Sequence, residues 1–73
     1  MSADFAEWSD RFHRATDVSV AKRNPIDARR RQAEAYDARV RAVRAMGTDG
    51  YPAALEAFAR AVERYEACVA REV

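Results

Sequence analysis

The sequence predicts an all-α fold: a three-helix domain built on a long antiparallel helical hairpin, with a shorter N-terminal helix packed across it. Alanine, arginine and glutamate, which all favour helices, dominate from residue 28 onward, and no segment alternates apolar and polar residues as a half-buried strand does. Two glycines and a proline fall within residues 47–52 and separate two stretches of helical periodicity. At 73 residues the chain is expected to form a single domain, 1–73.

The first helix is expected over residues 3–16. Asp4 and Glu7 suit its N-terminal turn, where acidic groups interact favourably with the helix dipole. Three aromatic residues, spaced three and four apart, share one face: Phe5, Trp8 and Phe12. We expect this face to cover the hairpin.

Residues 16–24 lose the helical periodicity, so we expect a connection between the first and second helices there. Val18 and Val20 are the apolar residues of this segment, and we expect them to tuck under the bundle.

The second helix is expected over residues 25–46. Asn24 can cap it, and Pro25 fits the first helical position because no amide donor is needed there. Gly47 can adopt the left-handed conformation that ends a helix. The larger apolar residues recur at helical spacing and predict the face that packs within the hairpin: Ile26, Ala33, Tyr36, Val40 and Val43.

The third helix is expected over residues 51–72, with Asp49 as its cap and Pro52 in its first turn. Its apolar residues alternate four and three apart, as in a heptad seam: Tyr51, Leu55, Phe58, Val62, Tyr65 and Val69. A connection of about four residues returns the chain only in the antiparallel direction.

Residues 33–64 resemble a single tetratricopeptide-type repeat. Aromatic residues of the first helix and the turn, and the Ala and Phe of the second helix, stand where that family has them: Tyr36, Tyr51, Ala54, Phe58 and Ala61. The chain departs from the family at Arg39 and Val40, which replace a Leu-Gly pair, and in a longer turn. The resemblance implies a helical hairpin. Because one repeat cannot bury its own apolar face, it implies no peptide-binding groove.

Six arginines lie within residues 27–44: Arg29, Arg30, Arg31, Arg39, Arg41 and Arg44. Charges four residues apart predict three pairs within the helix: Asp27 with Arg31, Arg30 with Glu34, and Asp37 with Arg41. The excess of about three charges leaves three interpretations open: a solvated helix face, a contact with an acidic protein surface, or a contact with nucleic-acid phosphates.

Arg29 is expected on the apolar face of the second helix, between Ile26 and Ala33, where an unpaired charge is costly. We therefore predict that it pairs with Glu72 or Glu66 at the open end of the hairpin, or else that it points at a partner.

Several classes of function lack a sequence signal. Cys68 is the only cysteine and His13 the only histidine, so neither an internal disulfide nor a Cys/His zinc site can form. We expect Cys68 to be partly buried and His13 to lie at the surface. No catalytic, cofactor or metal motif is present, and we expect a non-enzymatic protein without cofactors. No apolar run has the length of a signal peptide or membrane span, so we expect a cytoplasmic protein that does not contact membranes.

The expected function is protein binding, as an adaptor, an assembly subunit or an inhibitor, of the size common among phage and mobile-element proteins. The first helix, about 21 Å long, is too short to cover a seam of about 33 Å, so the turn end stays apolar and exposed. We expect a protein partner, a second copy of the chain, or both. The predicted contact residues are Trp8, Arg29, Arg39, Val43, Arg44, Met46, Tyr51 and Leu55. The alternative is nucleic-acid binding through Arg29, Arg31, Arg39 and Arg44.

Overall fold

The computed structural model describes residues 4–21 and 26–71, and these residues form three helices and no strand. The helices are α1 (Phe5–Ala21), α2 (Ile26–Ala45) and α3 (Tyr51–Arg71). Helices α2 and α3 pack most closely, and α1 packs across them. The predicted all-α fold is therefore confirmed. The predicted cap at Asn24 and Pro25 lies outside the described residues.

Helix α1 is longer than predicted, because it continues to Ala21 where we expected a connection. Ala15 and Ser19 are buried and extend the face of Phe12 by further turns. Burial of this face outweighs the weak helix propensity of the threonine and valines nearby. Val18 is exposed, so the prediction that it tucks under the bundle is wrong. The side chain of Val20 lies outside the described part of the chain.

Two aromatic contacts fix the register between α1 and α3. The ring centroids of Phe5 and Phe58 are 5.5 Å apart, and those of Phe12 and Tyr65 are 5.7 Å apart. The second pair lies seven residues after the first on both helices, so α1 and α3 run parallel. Helix α2 runs antiparallel to both. The Tyr65 hydroxyl donates a hydrogen bond to Thr16 Oγ1 at 3.2 Å, which satisfies a polar group on a fully buried side chain.

The buried positions of α2, and several of those of α3, are small residues. On α2 the buried positions are Ala28, Ala35 and Ala42, which recur every seven residues. On α3, Ala61 and Cys68 are buried, and Ala54 packs against the same core. Because small side chains let helix axes approach closely, this alanine face draws the two long helices together. The predicted burial of Cys68 is confirmed.

Residues 46–50 form the turn of the hairpin. Gly47 has a φ of 79°, which is the left-handed conformation predicted for it. Thr48 Oγ1 donates to the carbonyl oxygen of Ala45 at 2.6 Å and accepts from the Gly50 amide at 3.3 Å. We predicted Asp49 as the capping residue, but Thr48 is the side chain that holds this turn.

Replacing Gly47 by alanine should lower the free energy of unfolding by about 1–2 kcal/mol, because a left-handed backbone brings Cβ too close to a carbonyl oxygen. The cost is conformational, since the new Cβ would meet no atom within 4 Å. Gly50→Ala is the control, because its Cβ would meet only Thr48 Oγ1, at 3.7 Å. Urea denaturation of both variants tests this, and equal losses would contradict it.

Replacing Ala35 by leucine should destabilise the fold by about 1–3 kcal/mol, because the larger side chain forces α2 away from α3. Ala35 is 0% exposed, so a larger side chain at this position would have to enter the interior of the bundle. Ala67→Leu, at an exposed position of α3, is the matched control with the same chemical change. Thermal unfolding, monitored by circular dichroism, compares the two variants. Equal unfolding temperatures would contradict the close alanine contact.

Candidate protein-binding surface

The side of α2 that faces away from α3 carries large apolar side chains. Ile26, Tyr36 and Val43 are 78%, 58% and 44% exposed. They belong to a row spaced three and four residues apart, which we call the outer stripe: Ile26, Arg29, Ala33, Tyr36, Val40 and Val43. Met46, also about half exposed, follows it at the turn end. Apart from the charged Arg29 and the half-buried Val40, the outer stripe is therefore a heptad-like apolar row at the surface.

The outer stripe corrects the prediction for the second helix. We predicted that these residues pack within the hairpin, but the face in that position is formed by Ala28, Ala35 and Ala42. Both rows recur with the same period, and we predicted the wrong row to be buried because its residues are larger. Arg29 accordingly lies exposed on the outer stripe, not at a buried position.

A groove of about 580 Å³ runs between α1 and α2 beside the outer stripe. It exists because α1 rests mainly on α3 and touches α2 least. Its lining residues come from both helices: Phe12, His13, Thr16, Asp17, Arg29, Gln32, Ala33 and Tyr36. Aromatic and methyl groups thus lie beside polar and charged ones, a mixture typical of binding surfaces.

Glu66 binds Arg11, so the predicted pair of Arg29 with Glu66 is wrong. The Nε atom of Arg11 donates to Glu66 Oε2 at 3.0 Å, and a second guanidinium nitrogen contacts the other carboxylate oxygen. This hydrogen-bonded pair raises the pKa of Arg11 above its ordinary value, so the arginine stays charged. The pair joins α1 to α3. The alternative partner of Arg29, Glu72, lies outside the described residues.

Three of the predicted contact residues have partners within the chain. Trp8 is half-buried, and the guanidinium carbon of Arg11 lies 4.2 Å from the centroid of its ring. Arg39 donates from Nε to Ser9 Oγ at 3.1 Å and lies 5.4 Å from the Phe5 ring centroid. Leu55 packs against the core. These side chains therefore hold the bundle together, although each keeps some exposed surface.

The remaining predicted contact residues lie closer to solvent. Tyr51 is half-buried at the start of α3, near the turn. The other four are exposed: Arg29, Val43, Arg44 and Met46. Sequence reasoning did not propose Ile26 and Tyr36 as contact residues, because it assigned both to the interior. The only signal in the sequence was that a second row of alanines has the same period of seven residues. That row could occupy the buried face and leave the larger Ile26 and Tyr36 outside.

The charges beside the outer stripe are partly neutralised. The predicted pair of Asp37 with Arg41 is confirmed at 3.1 Å. The other two are wrong, because Arg31 binds Glu34 at 3.1 Å, a pairing three residues apart. In the part of the chain that the structure describes, four arginines of α2 bind no carboxylate: Arg29, Arg30, Arg44, and Arg39, which binds the Ser9 hydroxyl instead. The outer stripe is therefore flanked by positive charge.

Within residues 4–21 and 26–71, no three metal-ligating side chains come together, and no helix is long and apolar enough to cross a bilayer. His13 is exposed as predicted, with Nδ1 2.8 Å from the carbonyl oxygen of Ser9.

Comparison of the chain with protein-family models, curated proteins and solved structures finds no match. The resemblance of residues 33–64 to a tetratricopeptide-type hairpin stays a prediction. The outer stripe and its groove are consequently the features on which a proposal of function can rest.

Truncation of two tyrosines should separate the outer stripe from the core. Tyr36→Ala should change the stability of the monomer by less than about 0.5 kcal/mol, because Tyr36 is largely exposed. Tyr65→Ala should cost about 3–5 kcal/mol, because Tyr65 is fully buried against Phe12. Denaturant unfolding at low protein concentration measures both, and a large loss for Tyr36→Ala would place that side chain in the interior.

Proposed function

We propose that this protein is a small non-enzymatic protein-binding module, an adaptor, an assembly subunit or an inhibitor, that binds an apolar helix of its partner through the outer stripe. One observation carries the proposal: α2 buries Ala28, Ala35 and Ala42 and exposes the larger apolar side chains Ile26, Tyr36 and Val43. A helix that only completed a core would place these side chains the other way round. The inverted arrangement favours a surface used for contact.

The spacing of the outer stripe favours a helical partner. Residues three and four apart form the row of knobs and holes into which a second helix packs. The groove between α1 and α2 lies alongside and would receive side chains from that helix. Full burial of a large apolar side chain contributes about 1.5–3 kcal/mol. Covering Ile26, Tyr36 and Val43 therefore supplies on the order of several kcal/mol.

Nucleic-acid binding is the second candidate, and it rests on Arg29, Arg30 and Arg44, which bind no carboxylate of the described residues. It is less well supported than protein binding. Arg31 binds Glu34 and Arg39 binds Ser9, so two of the four arginines predicted for this function already have partners. Three arginines without a carboxylate partner among the described residues make a small phosphate footprint.

Placing a charge in the outer stripe tests the protein-binding function. Val43→Asp should abolish capture of the partner from a lysate of the source cells, because an aspartate at this position would be desolvated against an apolar helix. Ala57→Asp, at an exposed position of α3, is the matched control and should leave capture unchanged. Circular dichroism shows whether both variants keep their helices.

A photo-crosslinking residue identifies the contacted face. Placed at position 36 it should form an adduct, and placed at position 60 on α3 it should form none. Adducts that persist in the Val43→Asp background would contradict the proposal. Retention of nucleic acid by both variants, with affinity falling steeply as salt rises, would favour the second candidate instead.

A further inference from the structure

We propose that the helix that binds the outer stripe is α2 of a second copy of this chain, so that two α2 helices lie antiparallel about a twofold axis. This inference rests on the proposed function and names its partner. The argument comes from the residue sizes along the outer stripe and from the charges that flank it.

The outer stripe is complementary to itself in size when it is reversed. A twofold alignment that places Ile26 opposite the partner's Val43 also places Ala33 opposite the partner's Tyr36. Each tyrosine then lies over an alanine, and each isoleucine meets a valine. In the two central layers a small alanine faces a large tyrosine, an arrangement that favours close packing of two helices.

The charged position in the outer stripe favours the antiparallel direction. In a parallel, in-register pair, Arg29 would face the partner's Arg29 at the centre of an apolar contact, where two like charges repel in a low dielectric. In the antiparallel alignment Arg29 lies opposite the partner's Val40. Its methylene groups can cover the valine while the guanidinium reaches the rim.

The flanking charges complement each other in the same alignment. Arg30 and Asp37 border one side of the outer stripe and stand seven residues apart, on the same edge. Reversal of the partner brings Arg30 to within two residues of direct opposition with the partner's Asp37, and the symmetry creates this pair twice. Arg30 binds no carboxylate of its own chain in the described residues. The Asp37 carboxylate remains 62% exposed in its pair with Arg41.

Reversal of single charges tests this arrangement. Sedimentation over a range of concentrations should show a dimer for the wild type. Arg30→Glu places a glutamate against the partner's Asp37, and Asp37→Arg places an arginine against the partner's Arg30. Each variant alone should therefore raise the Kd of the dimer about tenfold, because two rim attractions become repulsions.

The decisive experiment mixes the two variants. A heterodimer of the Arg30→Glu and Asp37→Arg chains restores opposite charges at both pairs, so the mixture should associate about as tightly as the wild type. The two positions lie seven residues apart within one helix, beyond the reach of a pair on the same chain. A purely structural role of either residue would therefore not produce recovery on mixing. Arg64→Glu, on α3, is the matched control and should leave the dimer unchanged.

Two results would overturn the inference: a wild type that stays monomeric throughout, or variants that fail to recover on mixing. The proposed function fails separately, since it requires capture to depend on Val43. A monomer that still captures another protein through Val43 would retain the binding function with a different partner. Both the proposed function and the inference would be supported by two results together. The wild-type dimer would be lost in Val43→Asp, and association would be restored when the Arg30→Glu and Asp37→Arg chains are mixed.

Discussion

The close contact between α2 and α3 determines where the larger side chains of this protein lie. The distance between two packed helices depends on the side chains at their contact, and alanines bring the axes near their lower limit. Ala28, Ala35 and Ala42 are the buried positions of α2, so its core-facing side carries only methyl side chains there. The aromatic residues of α3 therefore pack under α1, whereas the larger residues of α2 lie at the surface.

Helix α1 is held by two tilted aromatic ring contacts and by polar contacts at its edges. Phe5 and Phe12 pack on α3. Arg11 binds Glu66 on one side, and Arg39 binds Ser9 on the other. Both arginines would be taken for surface charges from the sequence alone, yet each joins α1 to another helix. The positive charge of the chain is thus smaller in effect than its arginine content indicates.

The sequence predicted what depends on local order along the chain. The bounds of the long helices, the left-handed Gly47 and the seam of α3 follow from propensity, turn chemistry and period. The buried face of α2 did not follow, because two rows with the same period lie two residues apart. Hydrophobicity alone predicts that the row of larger residues is buried, whereas close packing against the neighbouring helix buries the row of smaller ones. Pairs such as Arg11 with Glu66, 55 residues apart, leave no local signal.

The arrangement of α2 links the stability of the folded chain to the binding that we propose. In a domain of 73 residues the core supplies only a few kcal/mol, so apolar side chains left outside represent stabilisation that the monomer does not use. A tyrosine at position 35 and an alanine at position 36 would enlarge the core. The larger buried side chain would, however, separate α2 from α3 and disturb the packing of Phe12 on Tyr65. A molecule that covers the outer stripe recovers that energy without this cost, and it stabilises the folded chain by mass action. The alanine contact and the exposed stripe therefore belong to one arrangement, because the row that α2 buries leaves the row of larger side chains at the surface.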